Sequence, residues 1–427
     1  MTTQQVIGIL IPLTAVASYI NYKFTKLPKS IGITLITLTL SLLVAVGGRL
    51  GWNVDDFAQN LLNGIGFNET FLHGMLSFLL FAGSLHVNAM ELAKYKSLVA
   101  LLATVSVFIS TLLVGYAMYG LTHLLGIELP FYYCFVFGAL ISPTDPIAVM
   151  GVLRTANAPK SLEVKIAGEA LFNDGMGIVL FFITLAIASG TQEALSAKTI
   201  FLYFIRQGIG GFLLGATIGW LAAKLLKSID DYEVATILTL AIVTGGYTLA
   251  HSIADVSGPI CMAVAGLVIG NSIKNGNMSK STMHKLDAFW ELLDEVLNAI
   301  LFVVIGLEFL RIKFNLDTTI AAIGAIIIVI FARWISVVVP VVCLSRFRKF
   351  NFNVLMIMTW GGLRGGISIA LALSIQTPQY DFIVAITYAV VLFSMMVQGV
   401  TIGPLIRKMR KSANAKYIEE EAPEIAS

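Results

Sequence analysis

The chain has 427 residues, of which 57% are hydrophobic and only 12% are charged, and its mean hydropathy is +0.86. A soluble globular domain carries about 25% charged residues, so this composition excludes an ordinary soluble domain and predicts a polytopic membrane protein. The net charge of +3 excludes nothing by itself, but Cys134, Cys261 and Cys343 all lie in apolar runs, which argues against a disulfide framework or a metal–thiolate site.

Apolar runs and the turn residues between them predict thirteen membrane-spanning helices, since one span needs roughly 20 apolar residues. The expected fold class is therefore an all-α polytopic membrane protein. Its transmembrane domain is expected over residues 1–411, followed by a short polar tail over 412–427. The predicted spans cover, within a few residues, 6–20, 30–48, 70–88, 98–124, 131–152, 162–189, 199–223, 233–252, 256–273, 287–310, 318–344, 352–376 and 381–406.

The Lys and Arg residues are distributed unevenly between the predicted loops. Alternate loops, together with the C-terminal tail, carry 21 of them, whereas the intervening loops carry four. Because cytoplasmic loops are enriched in Lys and Arg, we expect the C-terminus in the cytoplasm and, with thirteen spans, the N-terminus outside. A twelve-span alternative would put both ends on one side and break the alternation. The expected location is the plasma, or inner, membrane.

The fifth predicted span contains Ser142-Pro143-Thr144-Asp145-Pro146. Two prolines three positions apart remove two backbone donors and disfavour helix at the residues before them, so we expect an unwound segment. Its freed carbonyls and the Thr144 and Asp145 side-chain oxygens are hard ligands that suit a cation. The alternative interpretation is a proline kink in which Asp145 caps the following helix.

The sixth predicted span carries Glu169, Asn173 and Asp174 within a mostly apolar run. A charged side chain at the bilayer centre costs about 2.5–3.5 kcal/mol on insertion scales, so such groups pair, line a wet cavity or carry ions. Glu169 and Asn173 are four residues apart and share a helix face, whereas Asp174 is turned about 100° further. A structural ion pair is possible here, but the pattern favours a cation or proton site.

Two arginines lie near mid-span, where each needs an anionic partner. Arg333 in the eleventh span is expected to pair with Glu169, which would leave Asp174 facing a cavity beside the proline break. Arg364 in the twelfth span is a second possible partner for a buried carboxylate. An Asp174 without a fixed partner can hold either a proton or a small cation, because burial favours the protonated carboxyl and a bound cation favours the ionised one.

The twelfth span is interrupted by glycines at positions 361, 362, 365 and 366, where the backbone can also unwind. Spans 1–6 and 8–13 then form two repeats, over roughly residues 6–189 and 233–406, with a linker helix over 199–223. The two repeats have opposite orientations, and the two interrupted spans occupy equivalent places. Broken helices at matching places in inverted halves mark the site of a secondary transporter.

The remaining polar groups point to no catalytic chemistry. The tenth span carries Asp294, Glu295, Asn298 and Glu308. Asp294, Glu295 and Glu308 are expected in funnels or at the interfaces rather than in direct contact with an ion, because they lie near its predicted ends. The sequence has no nucleotide-binding loop, no HExxH motif and no cysteine cluster. We therefore expect a protein that is not an enzyme, has no cofactor or nucleic-acid partner, and is not driven by ATP.

At these residues the chain resembles the monovalent cation:proton antiporter family, in its prokaryotic sodium/proton exchanger branch. The matching segments are Ser142–Pro146, Gly168–Asp174 and Gly362–Gly365, and they occur in the family's order. The resemblance implies a homodimer, alternating access between a dimer domain and a core domain, and a crossing of the two broken helices.

The resemblance also implies a role for each site residue. Asp174 is the carboxylate that binds the cation or the proton. The side chains placed around it are Thr144, Asp145 and Asn173. Oxygens of Asp174, Asp145 and Thr144 are the expected ligands of a monovalent metal cation, Arg364 is a possible supporting residue, and Glu169 with Arg333 is the structural ion pair.

Two departures from the family pattern bear on the choice of ion. Ala170 stands where many relatives have serine, and residues 79–84 lack the carboxylate that some prokaryotic relatives carry in the third span. The function expected is electroneutral sodium/proton antiport, one cation for one proton, by competition at Asp174. The alternatives are a potassium/proton antiporter, or a cation channel built on the same bundle.

Overall fold

The structure of the protein is a computed structural model that describes residues 3–49, 74–155, 158–190, 197–273, 278–312, 315–345, 352–375 and 377–411. Within these ranges the chain forms helices joined by turns, and it contains no β-strand. The helices are α1 (Gln4–Thr25), α2 (Lys29–Arg49), α3 (Leu76–Leu85), α4 (Ala89–Lys94), α5 (Lys96–Leu124), α6 (Phe131–Ile141), α7 (Pro146–Thr155), α8 (Lys160–Ala188), α9 (Lys198–Leu226), α10 (Tyr232–Ile253), α11 (Gly258–Ser272), α12 (Lys280–Glu308), α13 (Leu316–Ser345), α14 (Phe352–Trp360), α15 (Gly366–Leu373) and α16 (Tyr380–Met409).

These bounds agree with the predicted spans to within a few residues over most of the described chain. Eight of the helices are long and apolar enough to cross a membrane. The largest difference is at α12, which begins at Lys280 rather than at residue 287, so Lys280 and Lys285 lie on the helix and not in a loop. The number of thirteen spans and their inverted repetition stay predictions. The predicted tail, residues 412–427, lies outside the described residues.

Small residues let the helices around α11 approach closely. Glycines recur every four residues on α9, and a Cβ built on Gly219 would lie 3.0 Å from backbone atoms of Ala265 on α11. On its other side, α11 places Gly266 and Gly270 against the backbone of α3. Membrane helices use such small residues because close van der Waals packing, rather than a hydrophobic driving force, holds them together.

The apolar core explains where the interrupted helices come to lie. The largest cluster of buried side chains contains Phe137 of α6 and Leu371 of α15. A separate cluster contains Val149 of α7 and Met358 of α14. Each interrupted helix therefore has one half in each cluster, and both interruptions lie at the boundary between the two clusters.

Candidate ion-binding site

The two interruptions meet through their main chains. The first separates α6, which ends at Ile141, from α7, and the second separates α14 from α15, which begins at Gly366. The backbone N–H of Asp145 in the first break donates to the carbonyl of Leu363 in the second, at 2.7 Å. The breaks predicted from proline and glycine are therefore in direct contact.

Arg364 donates hydrogen bonds to the main-chain carbonyls just after the end of α6. Its Nη1 donates to the carbonyl oxygens of Ser142 and Pro143, the latter at 2.8 Å, and its backbone N–H donates to the Ser394 hydroxyl at 2.9 Å. Those carbonyls have no partner within the helix because the chain unwinds there. The side chain is only 2% exposed. The hydrogen-bond partners of the guanidinium are thus main-chain carbonyls, where the sequence suggested a carboxylate.

Arg333 does the same for the other interrupted helix while it pairs with Glu169. Its Nη1 forms an ion pair with Glu169 Oε1, and its Nη2 donates to the carbonyl of Met358, near the end of α14, at 3.1 Å. Glu169 is 1% exposed and Arg333 is 6% exposed. The pair ties α8, α13 and α14 together, and a Cβ on Gly362 would overlap the guanidinium, so the second break packs directly on it.

Asn173 joins α8 to the first break. Its Nδ2 donates to Thr144 Oγ1 at 2.8 Å, and its Oδ1 accepts the backbone N–H of Thr144 at 3.4 Å. Both side chains are buried. The amide thus holds the unwound backbone against α8, one residue before the carboxylate of Asp174.

The two aspartates of the site differ in their surroundings. Asp174 is 4% exposed, and it makes no hydrogen bond or ion pair with any residue that the structure describes. Asp145 and Arg364 are the charged groups that act on it. Asp145 is half-buried, and a Cβ on Gly365 would overlap its side chain, so the second break lies against this carboxylate.

The seven predicted site residues therefore fall into one neighbourhood with two parts. One part is the Glu169–Arg333 pair, in which the charges neutralise each other. The other consists of carboxylate, hydroxyl and amide groups from the first break and from α8. Oxygen ligands of this kind suit hard cations.

Several charged residues outside the site have positions that differ from what the sequence suggested. Asp294 is the midpoint of α12 and not near its end; it is half-buried, and Asn298 Nδ2 donates to it at 3.1 Å. Glu308 is fully buried within the protein, so its side chain does not face an open funnel. Lys165, near the start of α8, is 2% exposed, and its amine lies 5.0 Å from the centre of the Tyr95 ring.

The contribution of Ser394 could not be found from the sequence. It belongs to an apolar stretch of α16 and shows no motif, yet its hydroxyl accepts the backbone N–H of Arg364. Gly177 also belongs to no motif, yet a Cβ on it would overlap the ring of Pro143. Ser394 supports the second break because α16 packs against it, and Gly177 leaves room for the first break because α8 packs against it.

Comparison with known proteins places this arrangement in a family. Residues 10–408 match the family described as sodium/hydrogen exchanger, transmembrane. The chain is 43% identical over 410 residues to the Na(+)/H(+) antiporter NhaP of Pseudomonas aeruginosa, covering 94% of this chain and 96% of that protein. It is 32% identical over 392 residues to the Na(+)/H(+) antiporter NhaH of Halobacillus dabanensis, covering 91% and 93% respectively.

A solved structure shares the fold. The sodium proton antiporter MjNhaP1 from Methanocaldococcus jannaschii superposes with a TM-score of 0.75 at 20% identity, covering 96% of this chain and all of that one. On the extent of the family match and the identity to its relatives, this chain belongs to the sodium/hydrogen exchanger family of transmembrane proteins.

Proposed function

We propose that this chain is a sodium/proton antiporter in which one cation and one proton compete for Asp174. The observation that carries the proposal is the contrast between two buried carboxylates five residues apart. Glu169 forms an ion pair with Arg333, whereas Asp174 has no hydrogen bond or ion pair with any described residue. The relatives named as Na(+)/H(+) antiporters support sodium as the cation.

The physical chemistry of burial turns this contrast into a mechanism. An ionised carboxylate held away from water is costly unless a cation or a proton neutralises it. Asp174 can therefore rest in either of two forms, protonated or cation-bound, and the empty ionised form is disfavoured. Because one form excludes the other, release of a proton on one side and of a cation on the other gives exchange. No additional gating group is needed to couple the two ions.

The neighbouring groups have separate tasks in this mechanism. Asn173 positions the first break, so that oxygens of Thr144 and Asp145 can complete the coordination of a dehydrated cation. Arg364 and Arg333 stabilise the carbonyl ends of α6 and α14 as fixed positive charges. Neither arginine needs to change its protonation, so the exchange is expected to be electroneutral, with one cation per proton.

The proposal includes the finer architecture expected from the sequence. It comprises thirteen spans over residues 1–411, two inverted six-helix repeats joined by a linker helix over 199–223, a homodimer, and alternating access. It also includes a cytoplasmic C-terminus and an external N-terminus in the plasma membrane. The support for the repeats is that the interruptions between α6 and α7 and between α14 and α15 occupy matching places in the two halves.

The direct test is Asp174→Asn in proteoliposomes. The neutral amide has nearly the same size, so we expect a folded protein in which a sodium gradient no longer moves protons. Asp381→Asn is the matched control, because Asp381 is an exposed carboxylate in the first turn of α16. Exchange retained by Asp174→Asn at the level of this control would overturn the proposal.

The same liposomes distinguish the other functions that this bundle could support. Proton movement is measured with sodium, lithium and potassium in turn, at zero and at imposed voltage. A rate independent of voltage supports one-for-one exchange, and a preference for potassium would make the chain a potassium/proton antiporter. A planar-bilayer current without proton counter-movement would identify a channel instead.

A further inference from the structure

One turn of α16, beside the second break, is wider than an α-helical turn. Residues Ser394–Gln398 wind as a π-helix inside α16, and single π-helical turns of this kind occur frequently at functional sites. Ser394 and Gln398 are the polar side chains among these five residues, and both are buried. Because they are four positions apart, they share one face of the helix. Ser394 accepts the backbone N–H of Arg364 at 2.9 Å, which leaves the role of the Gln398 amide to be explained.

Gln398 lines a small cavity between α13 and α16, at the second break. The volume of this cavity is about 10 Å³, which is roughly the space that one water molecule needs. Apolar side chains of α13 and α16 form most of its wall. The polar side chains in the wall are those of Arg333, Arg364 and Gln398, and Gly362 of the second break also lines it. The cavity is therefore small, enclosed mainly by apolar groups, and provided with three polar groups.

Arg333 has one donor that its known contacts do not use. Its Nη1 pairs with Glu169 and its Nη2 donates to the carbonyl of Met358. Its Nε is buried and has no hydrogen-bond partner among the residues that the structure describes. A Cβ on Gly362 would lie 2.5 Å from Nε, so the glycine keeps this edge of the guanidinium open to the cavity. A buried donor without an acceptor is costly, so a ligand that accepts a hydrogen bond is favoured here.

The other two polar groups add to this requirement. Gln398 is 6% exposed, and its side-chain amide makes no hydrogen bond with a described residue. Arg364 uses Nη1 for the carbonyls of Ser142 and Pro143. A guanidinium has five N–H donors, so Arg364 retains donors beyond those on Nη1. A ligand that both accepts and donates can satisfy Arg333 Nε and the amide oxygen of Gln398 at once.

Size and charge determine the class of ligand. Glu169 already pairs with Arg333, and the charges of Glu169 and Asp174 act on Arg364, so the two arginines require no further anion. A neutral group that has both donors and acceptors and fits about 10 Å³ is a water molecule. Buried waters typically make about three hydrogen bonds to polar groups that would otherwise lack partners.

We propose that Gln398 is a positioning residue for Arg333, and that it acts through one water molecule bound in this cavity. The water accepts from Arg333 Nε and donates to Gln398 Oε1. The π-helical turn then holds one arginine from each of its ends, Arg364 through Ser394 and Arg333 through the water. Since these arginines satisfy the carbonyls at the ends of α6 and α14, the turn contributes to the geometry of both breaks.

The bound water can be detected by NMR on the purified full chain in nanodiscs, with ¹⁵N-labelled arginine. The chain has ten arginines, so few Nε–H signals are present, and the Arg333 signal is the one lost in Arg333→Lys. We expect a through-space cross-peak between water and the Arg333 Nε–H proton. No contact with water at this proton would overturn the proposal. A signal that shifts when chloride is exchanged for gluconate would also overturn it, because the ligand would then be an anion.

High-resolution cryo-EM of the same sample gives a second measurement that needs no variant. We expect a density peak within about 3.2 Å of both Arg333 Nε and the Gln398 amide, the usual limit for a hydrogen bond. A map that resolves these side chains in direct contact with each other, with no density between them, would contradict the bound water.

Two variants of the π-helical turn test the role of Gln398. Gln398→Met removes the amide and keeps the length of the side chain, so we expect loss of the water cross-peak, a shifted Arg333 Nε–H signal and a lower unfolding temperature. Val397→Met is the matched control, because Val397 is 40% exposed in the same turn and does not line the cavity. A cross-peak that survives in Gln398→Met, or is lost equally in both variants, would contradict the assignment. Because no readout involves transport, these outcomes are independent of the ion-exchange mechanism.

Discussion

The two interruptions at the site reach the same geometry by opposite chemistry. In the first, prolines at 143 and 146 remove backbone donors, and the freed segment brings the oxygens of Thr144 and Asp145. In the second, glycines supply the freedom, and the only charged side chain is the cation Arg364. Among side chains, the first break therefore contributes acceptors, and the second contributes a donor and space.

The difference teaches that the glycines of the second break provide space for side chains from other helices. Gly362 leaves room for the guanidinium of Arg333, and Gly365 leaves room for the carboxylate of Asp145. Each helix that ends at a break also has its carbonyls satisfied by an arginine from outside that helix. Arg364 serves α6, and Arg333 serves α14. The two breaks are thus mutually dependent, although neither resembles the other in sequence.

The largest expected effect on stability comes from removal of the negative charge of Glu169, which pairs with Arg333 beside the second break. Glu169→Gln leaves Arg333 buried without its anionic partner, which costs about 3–5 kcal/mol in the free energy of unfolding. Unfolding in detergent with increasing SDS measures the loss, and the double variant Glu169→Gln/Arg333→Met should recover much of it. If Glu169→Gln is as stable as the parent and only its ion affinity changes, Glu169 and Asp174 have the opposite roles.

A smaller loss of stability is expected from a substitution at the contact between the glycine break and the proline break. Gly365→Ala pushes a methyl group into Asp145, and such overpacking typically costs about 1–3 kcal/mol. It should also slow exchange, because the carboxylate is displaced. Gly151→Ala on α7 is the control, since a Cβ there meets no atom within 4 Å. Equal stability and transport in the two variants would show that the contact between the breaks is unimportant.

The link between α8 and the proline break can be tested with a change of one group. Thr144→Val removes the hydroxyl that accepts from Asn173 and leaves a buried amide N–H unsatisfied, at a cost of about 1–3 kcal/mol. Thr144→Ser keeps the oxygen and should retain most of the stability. The sodium concentration for half-maximal exchange should rise in Thr144→Val only. A valine variant with unchanged sodium dependence would remove Thr144 from the cation's surroundings.

The smallest effect calibrates the buried pair against one at the surface. Lys29 Nζ and Glu295 Oε1 are 2.5 Å apart, but the side chains are 71% and 46% exposed. Lys29→Met should therefore change the free energy of unfolding by no more than about 1 kcal/mol. The difference should disappear near 1 M salt, where screening is strong. A loss as large as that of Glu169→Gln would mean that this contact holds α2 to α12 by more than charge.

Local chemistry made much of this protein predictable from its sequence. Apolar runs gave the helices to within a few residues because a membrane span requires them, and Pro143, Pro146 and the glycines gave both breaks. The carboxylates of α8 were identifiable as candidates because a buried charge in an apolar run is costly. The sequence also limited the partners of Glu169 to two buried arginines, because an isolated buried charge demands an opposite one.

Only the tertiary structure decided which groups meet. It paired Glu169 with Arg333, the partner expected from the sequence, and it directed Arg364 to the carbonyls of the first break, which the sequence did not indicate. It also buried Glu308 within the protein. These contacts join residues far apart in the chain, and they depend on the rotation and depth of each helix against its neighbours. Hydrophobic pattern determines that a segment is a helix, whereas close packing of the whole bundle determines which of its faces meets which partner.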